Sequence, residues 1–146
     1  MKVIFKKKSI ICGILSVLMC VSLAVAGVAP RTVSGVREFG VDGVTYRLTS
    51  HINVASDGGV YGGASCYSDE ALPKNYMKVR AILYDASGEG ICFSDIVGNA
   101  SYNKTVTATT ERDYSGKVSF SRARALIYDP ITGDTITIEG KKTPLN

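Results

Sequence analysis

The sequence predicts an all-β protein, folded as a small antiparallel β-sandwich or an open barrel behind an N-terminal signal peptide. Three observations predict this fold. Apolar and polar residues alternate along several segments, turn-forming residues recur between them, and no stretch after residue 26 has helical periodicity of useful length. Short strands joined by closely spaced turns are typical of sandwiches and barrels.

The N-terminal segment, residues 1–26, is predicted to be a secretory signal peptide. Four of its first eight residues are lysines, at positions 2 and 6–8, and residues 9–28 carry no charge. Ala24-Val25-Ala26 supplies the small residues of a cleavage site. The alternative is an uncleaved membrane anchor, because a stretch of this length can span a bilayer. Residues 27–38 are predicted to be a flexible segment and residues 39–146 a single β-sandwich domain.

The basic character of the chain comes from this export segment. The chain has 17 Lys and Arg against 13 Asp and Glu, a net charge of +4. All four lysines of the signal leave with it, whereas every acidic residue lies between Glu38 and Glu139, so the remainder is charge-balanced. That balance removes the main support for nucleic-acid binding. We therefore expect a secreted protein with no nucleic-acid partner, touching a membrane only if the segment stays uncleaved.

The strands are predicted in chain order from periodicity and turn chemistry. Residues 44–54 alternate strictly, and Asp42-Gly43 before them is a tight-turn signal, so residues 39–41 are expected to pair back as a short strand. A glycine-rich strand follows with Val60, Ala64 and Cys66 on one face, where the small residues predict a close backbone approach or a bulge. Residues 68–75 are predicted to form a loop, and the later strands are expected at 76–84, 90–97, 105–110, 118–128 and 135–138.

A ten-residue segment occurs twice, at 76–85 and 120–129. The identical positions are Arg80 and Arg124, Ala81 and Ala125, Tyr84 and Tyr128, and Asp85 and Asp129. Each copy is followed by a turn and another strand, which predicts two related strand–turn–strand units at 76–97 and 118–139. Chance similarity of two amphipathic strands is the alternative interpretation.

Strand alternation divides the repeated segment into two faces. The compact apolar face is predicted to join the core and comprises Val79, Ala81, Leu83, Ala123, Ala125 and Ile127. The other face is basic and aromatic, and its predicted ligand-binding residues are Lys78, Arg80, Tyr84, Arg122, Arg124 and Tyr128. If the copies lie side by side, these cations could bind phosphate or carboxylate groups. The alternative is a solvated sheet face whose long side chains cover apolar neighbours.

Two cysteines remain after the signal, Cys66 and Cys92. An even pair in an exported protein predicts a disulfide, which would stabilise the fold by about 3.5 kcal/mol in the chain-entropy model. Two buried free thiols are the alternative. No metal site or cofactor is expected, since two Cys without neighbouring His do not complete a zinc shell and the Asp-containing turns offer few carboxylates for calcium.

No catalytic arrangement is evident. His51 is the one histidine, it lies on the polar side of its strand, and no Gly-x-Ser-x-Gly motif accompanies it. We therefore predict that the protein is not an enzyme.

The second half of the chain resembles small secreted proteins of Gram-positive bacteria. The matching segments are Ile82-Leu83-Tyr84-Asp85, Tyr114-Ser115-Gly116 and Leu126-Ile127-Tyr128-Asp129. Some of that group resemble the lactococcin 972 family of bacteriocins, which implies a secreted β-sandwich that binds a cell-wall precursor. The Trp residues and the Asn-Gly-x-Gly-Tyr turn of that family are absent here.

The function expected from these features is that of an exported, non-enzymatic protein that binds an anionic component of the cell envelope. One alternative is a bacteriocin-like secreted toxin. Another is an inhibitor of a secreted hydrolase, a protein partner that would be contacted through the predicted loop at residues 68–75.

Overall fold

The computed structural model describes residues 31–146, and the predicted signal peptide lies outside the described residues. Every element of regular secondary structure assigned in this range is a β-strand. No helix within residues 31–146 is long and apolar enough to cross a membrane. The strands are β1 (Arg31–Val41), β2 (Val44–Val54), β3 (Val60–Leu72), β4 (Met77–Tyr84), β5 (Gly90–Phe93), β6 (Val97–Gly98), β7 (Asn103–Thr109), β8 (Phe120–Tyr128), β9 (Thr135–Glu139) and β10 (Thr143–Pro144).

These strands form two separate antiparallel sheets that pack face to face, which confirms the predicted sandwich. Sheet A has the order β1-β2-β3-β7. Sheet B has β4 and β8 at its centre, with β5 and β6 along the free side of β4 and β9 and β10 along the free side of β8. Every pairing is antiparallel, as expected for strands joined by short turns.

The core lies between the sheets and contains the predicted apolar residues. All six residues predicted for the inner face of β4 and β8 are completely buried: Val79, Ala81, Leu83, Ala123, Ala125 and Ile127. Five of them share a cluster with Leu48, Cys66 and Val106 of sheet A, and Leu83 lies in a second, smaller cluster with Ile52. Burying a side chain the size of leucine or valine stabilises the fold by about 1.5–3 kcal/mol, so this contact is a main source of stability.

Strand β1 is longer than the sequence predicts. It begins at Arg31, not at residue 39, so residues 31–38 belong to a strand and not to a flexible segment. Because most of its side chains are exposed, the sequence of this strand does not alternate between apolar and polar residues. The strand is held by its backbone ladder to β2, and Arg37 Nη1 donates to the Glu139 carbonyl oxygen at 2.6 Å.

The prediction of a loop at residues 68–75 is also wrong for most of that range, because β3 continues to Leu72. Its polar composition conceals a strand whose pairing with β7 shifts register between Tyr67 and Leu72. Ser68 is fully buried there, and its hydroxyl donates to the Glu70 carbonyl oxygen at 2.6 Å. Of the residues proposed for contact with a hydrolase, Ser68 and Leu72 are buried, whereas residues 69–71 are exposed on β3 and residues 73–75 form the turn that follows.

The predicted strand at 90–97 is interrupted, and a serine hydroxyl fills the interruption. Between β5 and β6, Ser94 Oγ accepts the Ala81 backbone N–H at 2.9 Å. On the other side of sheet B, the Ala123 N–H of β8 donates to Oγ of Ser50, which belongs to β2 of sheet A, at 2.8 Å. Both serines are buried, so each one satisfies a backbone donor that would otherwise lack a partner in the core.

The disulfide predicted between Cys66 and Cys92 is absent, and both cysteines are free thiols. Cys66 is completely buried in the main core. Cys92 lies on β5 beside the smaller cluster around Leu83, with its Sγ 3.8 Å from the Glu111 carbonyl oxygen. The two side chains pack into different parts of the interior, so no bond joins them.

We expect alkylation of the native protein to label Cys92 well before Cys66. Burial raises the pKa of the Cys66 thiol to about 12, so very little of the reactive thiolate exists at neutral pH. Peptide mass spectrometry after short iodoacetamide pulses, with and without denaturant, measures both rates. Equal labelling of the two cysteines, or a Cys66–Cys92 cross-linked peptide in a non-reduced digest, would contradict the structure.

Candidate functional site

The two copies of the repeated segment lie side by side as β4 and β8. Their ladder pairs Arg80 with Arg124, the same two residues that align in the repeat. A local two-fold axis normal to sheet B therefore passes between these arginines. The axis relates Lys78 to Arg122, which lie on opposite sides of it, next to Leu126 and Ile82 respectively.

The outer face of this pair carries a set of residues that we call the basic strip, in which Ile82 and Phe120 are buried and the remaining side chains are partly exposed. It brings together all six predicted binding residues. Its members are Tyr76, Lys78, Arg80, Ile82 and Tyr84 from the first copy, and Phe120, Arg122, Arg124, Leu126 and Tyr128 from the second. Glu139 of β9 lies opposite Arg124 and faces the same side of the sheet. The strip therefore carries four cationic side chains, and β9 adds one carboxylate beside them.

An aromatic pair closes each end of the basic strip. Tyr76 and Tyr128 meet edge to face, with ring centroids 4.8 Å apart. At the other end Tyr84 stacks on Phe120, also at 4.8 Å and with the rings nearly parallel. The Lys142 ammonium lies 4.1 Å from the centroid of the Phe120 ring, which adds a cation beside this end.

The two central arginines are fixed by contacts within the protein. Arg124 Nε lies 2.6 Å from Glu139 Oε1. Arg80 Nε donates to the Ser94 carbonyl oxygen at 3.0 Å, and its guanidinium stacks over the Phe93 ring at 4.9 Å. The Nε groups of both arginines are therefore already engaged within the protein. Such contacts are expected under the alternative interpretation, in which this is an ordinary solvated sheet face.

The cations on either side of the centre are differently placed. Within residues 31–146, neither Lys78 nor Arg122 forms an ion pair. Arg122 Nε is buried and has no hydrogen-bond partner in the described part of the chain. Arg122 also lies over the edge of the Phe120 ring, 5.9 Å from its centroid. These two side chains keep their charge available to a ligand.

A groove of about 540 Å³ opens at the Tyr76–Tyr128 end of the strip. We call it the lysine groove, and it is lined by Lys74, Asn75, Tyr76, Lys78, Leu126, Tyr128 and Thr135. Two ammonium groups and two phenol rings therefore converge on one depression. Lys74, like Lys78, forms no ion pair with any other described residue.

One wall of the groove is held by a buried amide. Asn99 is 1% exposed, and its Nδ2 donates to the carbonyl oxygens of Leu72, Pro73 and Ala100 at 3.2, 3.0 and 2.9 Å. Its Oδ1 accepts the Met77 N–H at 3.0 Å. These bonds fix the turn at residues 73–75, and with it the wall that carries Lys74.

Sequence reasoning did not identify Lys74 or Thr135 as site residues. Both lie beyond the ends of the repeated segment, in a turn and at the start of β9. The sequence does show Lys74 two positions before Tyr76, where an amphipathic strand is predicted to begin. That position indicates a binding site only once the fold places Tyr128 beside Tyr76.

The other candidates from the sequence have local structural roles. Asp85 Oδ1 accepts from the Ser87 and Glu89 N–H groups and from the Ser87 hydroxyl, which lowers the pKa of the carboxyl. Asp129 Oδ1 holds the equivalent turn by accepting from Ile131 N–H at 2.8 Å. These carboxylates close turns, and among residues 31–146 no group of metal-binding side chains is assembled.

Comparisons of the chain with protein-family models, curated proteins and solved structures found no match. The resemblance to the lactococcin 972 family therefore stays a hypothesis, and the function has to be argued from the basic strip and the lysine groove.

Proposed function

We propose that this is an exported binding protein that attaches to an anionic component of the cell envelope through the basic strip and the lysine groove. The observation that carries the proposal is the register of β4 against β8, which places both copies of the basic and aromatic segment on one surface. The N-terminal segment, with its lysines and apolar run, supports export.

The concentration of charge on this surface supports an anionic ligand. The 13 basic and 13 acidic residues after the signal cancel, yet basic side chains gather on one face of sheet B. The group comprises Lys74, Lys78, Arg80, Arg122, Arg124 and Lys142. A local excess of one sign on a neutral protein attracts an oppositely charged surface at close range without general attraction to every polyanion.

The aromatic rings support a ligand that also has carbon faces. Tyr76 and Tyr128 are half-buried and line the groove, so the parts of the two rings that do not contact each other are open to a bound molecule. Tyrosine combines an apolar ring with a polar hydroxyl and suits contact with sugars or other carbon–hydroxyl units. An envelope polymer that carries phosphate or carboxylate groups on a polyol or sugar backbone meets both requirements.

The proposal is tested by removing the two cations that have no ion pair. We expect a Lys78→Gln, Arg122→Gln double variant to bind isolated cell envelopes about five- to tenfold more weakly in a sedimentation assay, since exposed charge contacts each contribute modestly. The matched control is Lys104→Gln with Lys117→Gln, which removes the same charge from other surfaces of the sandwich. If the double variant sedimented with envelopes as well as this control does, the proposed function would be wrong.

A further inference from the structure

We infer that the ligand of the basic strip is a linear phosphodiester polymer lying along β4 and β8, and not a single small anion. This inference rests on the proposed function and adds the shape of the ligand to it. The argument comes from the way in which the cations are distributed along the strip.

The cations of the strip are spread along its length instead of converging on one point. Lys78 is at one level of the ladder, Arg80 and Arg124 form the next, and Arg122 is at the third. Outward-facing residues on a strand recur about every 7 Å, so the three levels span about 13 Å. A single phosphate reaches one level, whereas a chain with a charge about every 7 Å meets all three.

The ends of the strip set the length of chain it can hold. Tyr76 and Tyr84 are eight positions apart on extended backbone, so the two aromatic pairs lie about 26 Å apart. Between them the cationic side chains are partly exposed and Ile82 is buried, so a bound chain would contact the side chains of Lys78, Arg80, Arg122 and Arg124. About four charged repeats of the polymer would fit between the pairs.

The central arginines are positioned to contact such a chain. Both use Nε for an internal contact, to Glu139 Oε1 for Arg124 and to the Ser94 carbonyl for Arg80. These contacts orient the planar groups, and no described residue accepts a hydrogen bond from their terminal amino groups. A guanidinium held in this way loses little freedom when its terminal N–H groups bind a phosphate.

The local two-fold axis has a consequence for recognition. Rotation about it exchanges Lys78 with Arg122 and Arg80 with Arg124, so the strip presents nearly the same sequence of charges from either end. A polymer can then bind in either direction. Lys78 and Arg122 should accordingly contribute similar amounts to the binding of a chain that spans the strip.

The test uses the full-length protein and synthetic oligo(glycerol phosphate) with one, two, four or eight phosphates, measured by calorimetry. We expect the dissociation constant to fall at least about tenfold from one phosphate to four and then to change little per added unit. The slope of log affinity against log salt should steepen over the same range, because more counterions are released. Lys78→Gln and Arg122→Gln should each weaken the four-phosphate ligand about two- to fivefold.

Several outcomes would overturn the polymer inference. One is equal affinity for one and four phosphates, and another is sensitivity to Lys78→Gln without sensitivity to Arg122→Gln. Either result would mean that a single anion is bound instead of a chain that spans the strip, and would leave envelope binding intact as the proposed function. Failure to bind any oligomer also overturns the inference, while the envelope sedimentation assay tests the function separately. Unchanged far-ultraviolet circular dichroism of each variant ensures that the comparison is between folded proteins.

Discussion

Replacing Asn99 by alanine is expected to lower the free energy of unfolding by about 3 kcal/mol. The side chain makes four hydrogen bonds in a site that is 1% exposed, and three of its partners are carbonyl oxygens from the end of β3 and the adjoining turns. Alanine leaves the buried Met77 N–H without a partner and leaves a cavity. Urea unfolding followed by circular dichroism measures the change.

The matched control for this prediction is Asn103→Ala. Asn103 is exposed, and its Oδ1 accepts one bond, from the Thr105 N–H at 3.2 Å. Water can replace that acceptor, so a loss below about 1 kcal/mol is expected. Equal losses for the two variants would show that Asn99 is not the anchor the structure describes.

A second variant at this position adds a pH dependence. The carboxyl introduced by Asn99→Asp would face three carbonyl oxygens in the core, which raises its folded-state pKa above the unfolded value of about 3.9. Since the unfolded chain then ionises first, stability falls as the pH rises from about 4 towards the raised folded pKa. Relative to wild type, the variant should therefore be less destabilised at about pH 4 than at about pH 7.

Periodicity identifies the strands whose two faces have different surroundings. β2, β4 and β8 each have one face in the core and an opposite face on which most side chains are at least partly exposed, and the alternation in the sequence places β2 correctly from Val44 to Val54. β1 and the last part of β3 are exposed on most positions and depend on long-range pairing with β2 and β7. No local pattern records such pairing, so the sequence predicts irregular structure for residues 31–38 and 68–72.

The candidate site was predictable in outline and not in its contacts. The repeat with Arg80 and Arg124 predicts a shared basic face if the copies are neighbours, and the ladder makes them neighbours. The contact of Arg124 with Glu139 depends on how β9 aligns with β8. The burial of Asn99 likewise depends on where the chain turns after β6. Both are properties of the assembled sheets, which a single segment of sequence does not contain.

The close approach predicted for the glycine-rich strand occurs at Gly62. A Cβ atom there would lie 3.0 Å from Leu83 Cδ2 and 3.0 Å from Ser121 Oγ, both on the inner side of sheet B. Leu83 and Ser121 are completely buried, so any shift of their side chains has to be accommodated within the core. The neighbouring Gly63 differs, because its Cβ would point to the outer face and would meet His51 at an ordinary 3.4 Å.

We therefore expect Gly62→Val to lower the free energy of unfolding by about 2–3 kcal/mol through overpacking. Valine favours strands, so the loss cannot come from backbone preference, and Gly63→Val should be neutral or slightly stabilising for that same reason. Shortening the opposing side chain by adding Leu83→Val should recover part of the loss, which a double-mutant cycle in urea measures. Equal effects at positions 62 and 63, or no recovery in the cycle, would mean that the two sheets do not approach each other at this glycine.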